Sequence, residues 1–321
     1  MKNRSWILTA CLLALAPHQA TAQDGRAKPL FDALDGPGFS SAGGLWYKNN
    51  FEQDAGSMNF QAPLGPKGAP VLQLSVREHC PADLRGCSER AEIWEREDLL
   101  LPYEAPVWYG FSMKLLDPIP QDNHRYVMAQ WKRTILPGAE RDYSPFLALR
   151  MRSGKLFITV ETDEVTVSQA GSACSGKQAQ ATNRDDSGQT RSLVAVEEGS
   201  VLADIPGYTS CAAAIEVVPR GGALPKASAG WVDFVFGVKT GAAGGGRIEI
   251  FANDTWVASV KGNIGHQGKG LGPHQYFKFG PYRAAHAGSW SVAYSQFRRG
   301  ATCADMGRSL ICQAMQADPL Q

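Results

Sequence analysis

Apolar residues along this chain alternate with polar ones at a period of two, and runs with the 3.6-residue period of a helix are scarce. Short alternating runs cover 71–77, 88–97, 107–115, 125–133, 146–151, 155–162, 231–239, 247–252, 255–261, 276–283 and 291–298, separated by Gly, Pro, Asn and Asp. That pattern predicts strands joined by turns, an all-β fold. Segment 231–239, the linker TGAAGGG and 247–252 read as a hairpin, and Asn253-Asp254 suits a tight turn into Thr255. Residues 163–230 are polar and rich in Gly, Ser and Ala. They read as a long surface insertion, not as a second domain. No repeat or interdomain linker divides the remainder, so one domain is expected over 23–321.

Three of the strands share a further pattern. In 276–283, Phe277 and Phe279 point one way, and Tyr276, Lys278 and Tyr282 the other. In SERAEIWERE, Ala91 and Ile93 oppose Arg90, Glu92, Trp94 and Arg96. In RYVMAQWKR, Val127, Ala129 and Trp131 form the apolar side, and Tyr126, Met128, Gln130 and Lys132 the opposite side. A sandwich buries one face of each sheet and leaves the other free. If the three strands share a sheet, its free face is a groove carrying Arg90, Glu92, Trp94, Gln130, Lys132, Tyr276, Lys278 and Tyr282. Aromatic rings suit sugar faces, and forked donors suit carboxylates.

Composition narrows the setting. The formal net charge is +1, which argues against general binding to nucleic acid or to membranes. Residues 1–22 combine Lys2 and Arg4, an apolar run from Trp6 to Ala16, and Ala20-Thr21-Ala22. This is the layout of a signal peptide, too short in its apolar part to span a bilayer. A secreted or periplasmic, monomeric product is expected. Cys11 leaves with the signal, and Cys80, Cys87, Cys174, Cys211, Cys303 and Cys312 remain. An even count in an exported chain suggests disulfides. Pairing sequence neighbours is the simplest of the 15 possible connectivities.

The pieces Arg90-Ala91-Glu92-Ile93, Gln130-Trp131-Lys132 and Tyr276-Phe277-Lys278-Phe279-Gly280-Pro281-Tyr282, in this order, resemble secreted polysaccharide lyases of the heparin lyase I, glucuronan lyase and alginate lyase type. The 231–260 hairpin region is similar in pattern. The resemblance implies a concanavalin-like β-jelly-roll sandwich with its groove on the concave sheet. It also implies β-elimination across the bond to O4 of a uronic acid in an acidic polysaccharide, with no cofactor, although this fold often carries a structural calcium. Asp83, Asp122 and Asp142 are the loop candidates for calcium, and no dense acidic loop is present.

The chemistry explains the residue types. The proton at C5 becomes acidic enough to remove only if donors neutralise the adjacent carboxylate as charge builds up. Arg90 and Gln130 fit that role. The resemblance gives Tyr282 the proton transfer and gives Lys278 a functional place on the same strand face. Tyrosine titrates near 10 when free, and nearby cations favour its phenolate. Glu92, Trp94, Tyr276 and Arg283 are the expected substrate-binding residues. The resemblance departs at Lys132, where the family commonly has His. Lysine among other cations could neutralise the carboxylate or act as base, or one of His79, His124, His266, His274 and His286 could enter the groove. Other readings stay open. Arg90 and Glu92 could be only a cross-strand ion pair. Glu161-Thr162-Asp163-Glu164 offers paired acids of glycoside-hydrolase type, but Val165 interrupts the alternation. A non-catalytic carbohydrate-binding protein on the same sandwich is the alternative function.

Overall fold

The computed structural model describes residues 27–36, 45–47, 52–61, 64–81, 86–164, 174, 177–183 and 189–316. The signal peptide expected over 1–22 lies outside the described residues. Among the described residues, no helix is long and apolar enough to cross a membrane.

The strands form one antiparallel ladder that folds back on itself into a jelly-roll sandwich. From one edge, Gly56–Gln61 pairs with Val71–Val76, followed by Trp290–Gly300, Val107–Leu115, Val232–Lys239, Gly241–Ala252 and Thr255–Ile264. The ladder continues through Ser210–Pro219, Gln178–Asn183, Thr190–Val196, Lys155–Thr162, Leu147–Arg152, Tyr126–Ile135 and Leu271–Ala284. Ser88–Arg90 and Ile93–Glu95 line the far side of that last strand.

Aromatic side chains join the two layers. Phe111 stacks near Phe277 and Phe279 at centroid distances of 5.6 and 6.5 Å, and Trp131 lies 4.6 Å from both Phe236 and Phe277. Phe277, Phe279 and Trp131 are buried, as their alternation requires. Each such ring contributes about 1.5–3 kcal/mol by burial, so the opposite face of these strands rests on a rigid base. Asn253 and Asp254 both take positive φ, the conformation of a two-residue type I′ hairpin turn.

Two bulges interrupt these strands, and the first changes the expected faces. Leu149 pairs with Ala129 but Arg150 pairs with Val127, so Met128 has no partner in the register. Tyr126 and Met128 therefore join the main core, and Val127 turns to the side of Arg150 and Tyr282. Simple alternation had put Tyr126 and Met128 on the polar side. The second bulge falls between Phe279 and Tyr282. Gly280 has φ +126°, and a Cβ there would sit 2.0 Å from the Ala91 carbonyl oxygen. Pro281 has no N–H to donate, and its carbonyl instead accepts from Ala91 N. The single strand expected over 88–97 is accordingly split at Ala91-Glu92.

The segment 163–230 also differs from expectation. Its described parts supply Gln178–Asn183, Thr190–Val196 and Ser210–Pro219 to the ladder, so it is not only a surface appendage. Weak alternation hid these strands because they are rich in small and polar residues. The disulfides join Cys80 to Cys87, Cys174 to Cys211 and Cys303 to Cys312, the sequence-neighbour pairing. They fit an exported enzyme, since such bonds persist in oxidising compartments.

Candidate active site

The three strands carrying the polar-aromatic pattern are neighbours. Arg90 lies opposite Tyr282, Trp94 opposite Lys278, Gln130 opposite Lys278, and Lys132 opposite Tyr276. On this sheet a cleft is lined by Arg90, Arg125, Lys132, Arg150, Arg191 and Lys278, with Gln130, Tyr282 and one carboxylate, Asp142. Six basic side chains against one lining acid make it a receptor for polyanions.

Glu92 organises the floor. Its side chain is fully buried, accepts from Lys278 Nζ at 2.8 Å and from Gln130 Nε2 at 2.6 Å, and lies 4.0 Å from Arg90. A buried pair of this kind is held in place because losing either partner strands a charge. Lys278 also lies 4.6 Å from the Trp94 ring centroid. Ammonium and amide are thereby fixed in position, each with further N–H groups beyond those given to Glu92.

Tyr282 sits between two guanidiniums. Arg90 stacks over its ring at 4.2 Å, and Arg125 lies 4.8 Å from the ring and donates to the hydroxyl at 3.0 Å. Lys132 is half-buried, and its ammonium is pushed down to about 8 by burial and by the like charges of Lys278 and Arg90, against the opposing pull of Asp142 and Glu92. Further along the same face, Arg150 is buried and donates to Thr159, while Arg191 pairs with Glu161 at 2.8 Å.

A family model described as polysaccharide lyase matches residues 42–298. The chain belongs to the polysaccharide lyase family. The endo-β-1,4-glucuronan lyase of the fungus Trichoderma reesei is similar in structure, with a TM-score of 0.54, 14% identity, and coverage of 88% of this chain and 98% of that one. Alginate lyase A1-II′, a member of polysaccharide lyase family 7, gives 0.42 at 12% identity, covering 76% and 83%. No curated protein matches the sequence.

Within this polysaccharide lyase, Arg90, Gln130, Lys132, Lys278 and Tyr282 all line one cleft. Other expected residues are placed differently. Glu92 was read as contacting substrate, but its carboxylate is enclosed by Lys278 and Gln130. Arg283 was read the same way, yet it is buried, pairs with Glu89 at 2.5 Å and donates to the carbonyls of His286, Ala287 and Gly288. It fastens the strand end, on the opposite face from its chain neighbour Tyr282, as alternation along a strand requires. Trp94 and Tyr276 stack on each other at 5.4 Å, outside the cleft lining, so they brace its side. None of the five candidate histidines lines the cleft. His266 is buried behind it, bonded to Asp163 and to the Ser144 carbonyl.

Glu161 and Asp163, weighed as glycosidase acids, are engaged by Arg191 and His266. Asp122 accepts from the Tyr126 hydroxyl, Asp83 lies outside the described residues, and no group of three or more His, Cys, Asp or Glu among the described residues is arranged to hold a metal. Sequence reasoning missed Arg125, Arg150 and Arg191. Arg125 alone carried a signal, directly preceding the Tyr126–Ile135 strand.

Proposed function

We propose that this polysaccharide lyase cleaves a uronate-containing polysaccharide by β-elimination, with Tyr282 transferring the proton. The observation that carries the reading is the position of Tyr282, its hydroxyl held at 3.0 Å by Arg125 and its ring under Arg90, in a cleft dominated by cations. The names of the similar structures, glucuronan lyase and alginate lyase, support a uronate polymer.

In this reading Arg90, Gln130 and the ammonium of Lys132 bind the uronate carboxylate and stabilise the charge that spreads onto it in the transition state. The phenolate of Tyr282 takes the C5 proton. The electron pair left at C5 forms the C4–C5 double bond, the C4–O4 bond breaks, and Tyr282 returns the proton to O4. The two guanidiniums stabilise the phenolate while it exists. Glu92 and Lys278 act beneath, holding Gln130 and the local charge balance.

The test is the ultraviolet absorbance of the 4,5-unsaturated uronate released from a panel of uronate polysaccharides. Tyr282→Phe keeps the ring and removes the proton carrier, and should slow an accepted substrate by about 10²–10⁴-fold. A mutant as fast as wild type removes Tyr282 from the mechanism. A wild type that cleaves no uronate polymer removes the substrate class.

A further inference from the structure

The partners assigned above to the uronate carboxylate leave three cleft arginines with no substrate anion, although Arg125 also holds the Tyr282 hydroxyl. Arg125, Arg150 and Arg191 all line the cleft. The Ser88–Arg90 strand pairs along one edge of the Leu271–Ala284 strand. On the other edge come Tyr126–Ile135, Leu147–Arg152, Lys155–Thr162 and Thr190–Val196 in succession. The bulge at Met128 aligns Tyr282, Val127 and Arg150 across three adjacent strands. Two strand spacings, about 10 Å, separate the backbones of Tyr282 and Arg150. That is roughly the reach of two sugar units of a 1,4-linked chain.

Three guanidiniums share this part of the cleft, and Arg150 is the one short of close negative charge. Arg150 is 4% exposed and its Nε donates to neutral Thr159, with Glu161 only at 3.9 Å. Arg191 uses its Nε on that same Glu161. Arg125 spends one terminal nitrogen on the Tyr282 hydroxyl, and its Nε is buried with no hydrogen-bond partner. One buried carboxylate, Glu161, thus serves both Arg150 and Arg191. Burial and the Arg191 charge push Arg150 down to about 9, the response of a cation held without enough counter-charge. Phe157, the register partner of Arg150, packs with Leu193, Ile205, Leu202 and Tyr208 into a separate apolar cluster. Buried, forked donors beside an apolar cluster bind a planar or tetrahedral oxyanion well.

We propose that Arg125, Arg150 and Arg191 form a second anion subsite, on the far side of Tyr282 from Arg90, for the carboxylate or sulfate ester of a neighbouring sugar in the chain. The subsite deepens the reading given under Proposed function and rests on it for the position of cleavage. It makes the preferred substrate one whose acidic groups recur along the chain, over one whose uronates are isolated among neutral sugars.

The experiment compares Arg191→Gln with wild type on three polymers: a 1,4-linked homopolyuronate, a polymer alternating uronate with a neutral sugar, and the same alternating polymer bearing sulfate esters on the neutral sugar. Loss of a charged contact should lower kcat/KM by about 10–100-fold, through KM more than kcat, on polymers that place an anion in the subsite. The loss on the alternating unsulfated polymer should stay under about threefold. Loss confined to the homopolyuronate assigns the subsite to a carboxylate, and loss on the sulfated polymer extends it to sulfate. Arg191→Lys keeps the charge beside Glu161 and should fold normally, with an intermediate loss. Calorimetric binding of a uronate tetrasaccharide provides a readout free of turnover, in which Arg191→Gln weakens binding by about tenfold or more and Tyr282→Phe does not. Weakened binding without cleavage by wild type would retain the subsite and sink the elimination reading. Equal losses on all three polymers, or binding unchanged by Arg191→Gln and Arg191→Lys, would overturn the subsite.

Discussion

Replacing Glu92 by glutamine keeps the shape of the side chain and removes its charge. Glu92 has no exposed side-chain area, Lys278 has 3%, and the two approach to 2.8 Å. Other cleft cations, Arg90 and Lys132, stand close by, so the stranded ammonium of Lys278 faces like charges. Breaking a buried pair from one side costs about 3–5 kcal/mol, a large share of the roughly 5–15 kcal/mol that keeps a domain folded. For a chain of this size the unfolding entropy is roughly 0.6 kcal/mol per kelvin, so the melting temperature should fall by about 5–8 °C. Lys278→Met should cost a similar amount by stranding Glu92. The double variant Glu92→Gln with Lys278→Met has no buried charge left and should recover most of the loss, with a coupling energy of at least about 2 kcal/mol. Urea titration followed by circular dichroism, with slopes compared among the four proteins, measures this directly. Single variants that each cost less than about 1 kcal/mol, or a double variant costing their sum, would show that the pair is not the constraint described.

Gly280→Ala should destabilise the fold by about 3 kcal/mol or more or prevent soluble expression, because the added Cβ meets the Ala91 carbonyl at 2.0 Å in a conformation with φ +126°; a variant melting within a degree of wild type would refute the bulge. Lys132 should impose an alkaline limit on activity: its ammonium is lost above pH about 8, so turnover should fall through that pH, and Lys132→Arg should carry activity to higher pH. A wild-type rate that rises through pH 8, with an inactive arginine variant, would make the neutral amine the base. The same group predicts a stability trend. Its folded value lies below the free value of 10.5, so the unfolded chain binds more protons between about 8 and 10.5. The cost of the buried ammonium is therefore present in full below pH 8 and fades as pH rises, and the extra stability of Lys132→Met at pH 7 should shrink by pH 10.

Period-two alternation alone identified an all-β chain and put Phe277, Phe279 and Trp131 in the core, because the alternation of side chains along a strand is a local property of the backbone. The same alternation, with the motif spacing, brought Arg90, Gln130, Lys132, Lys278 and Tyr282 to one surface, and cysteine neighbours paired as sequence order suggested. Tertiary structure decided the rest. A bulge depends on the partner strand, so nothing within RYVMAQWKR told that Met128 would turn inward and Val127 outward. Burial of a charge depends on counter-charges from distant strands, which is why Glu92 and Arg283 read as surface groups in sequence and stand as structural ion pairs in the fold. Arg150 and Arg191 lie in strands with no pattern setting them apart. Only the pairing of Leu147–Arg152, Lys155–Thr162 and Thr190–Val196 beside Tyr126–Ile135 brings their guanidiniums to Tyr282.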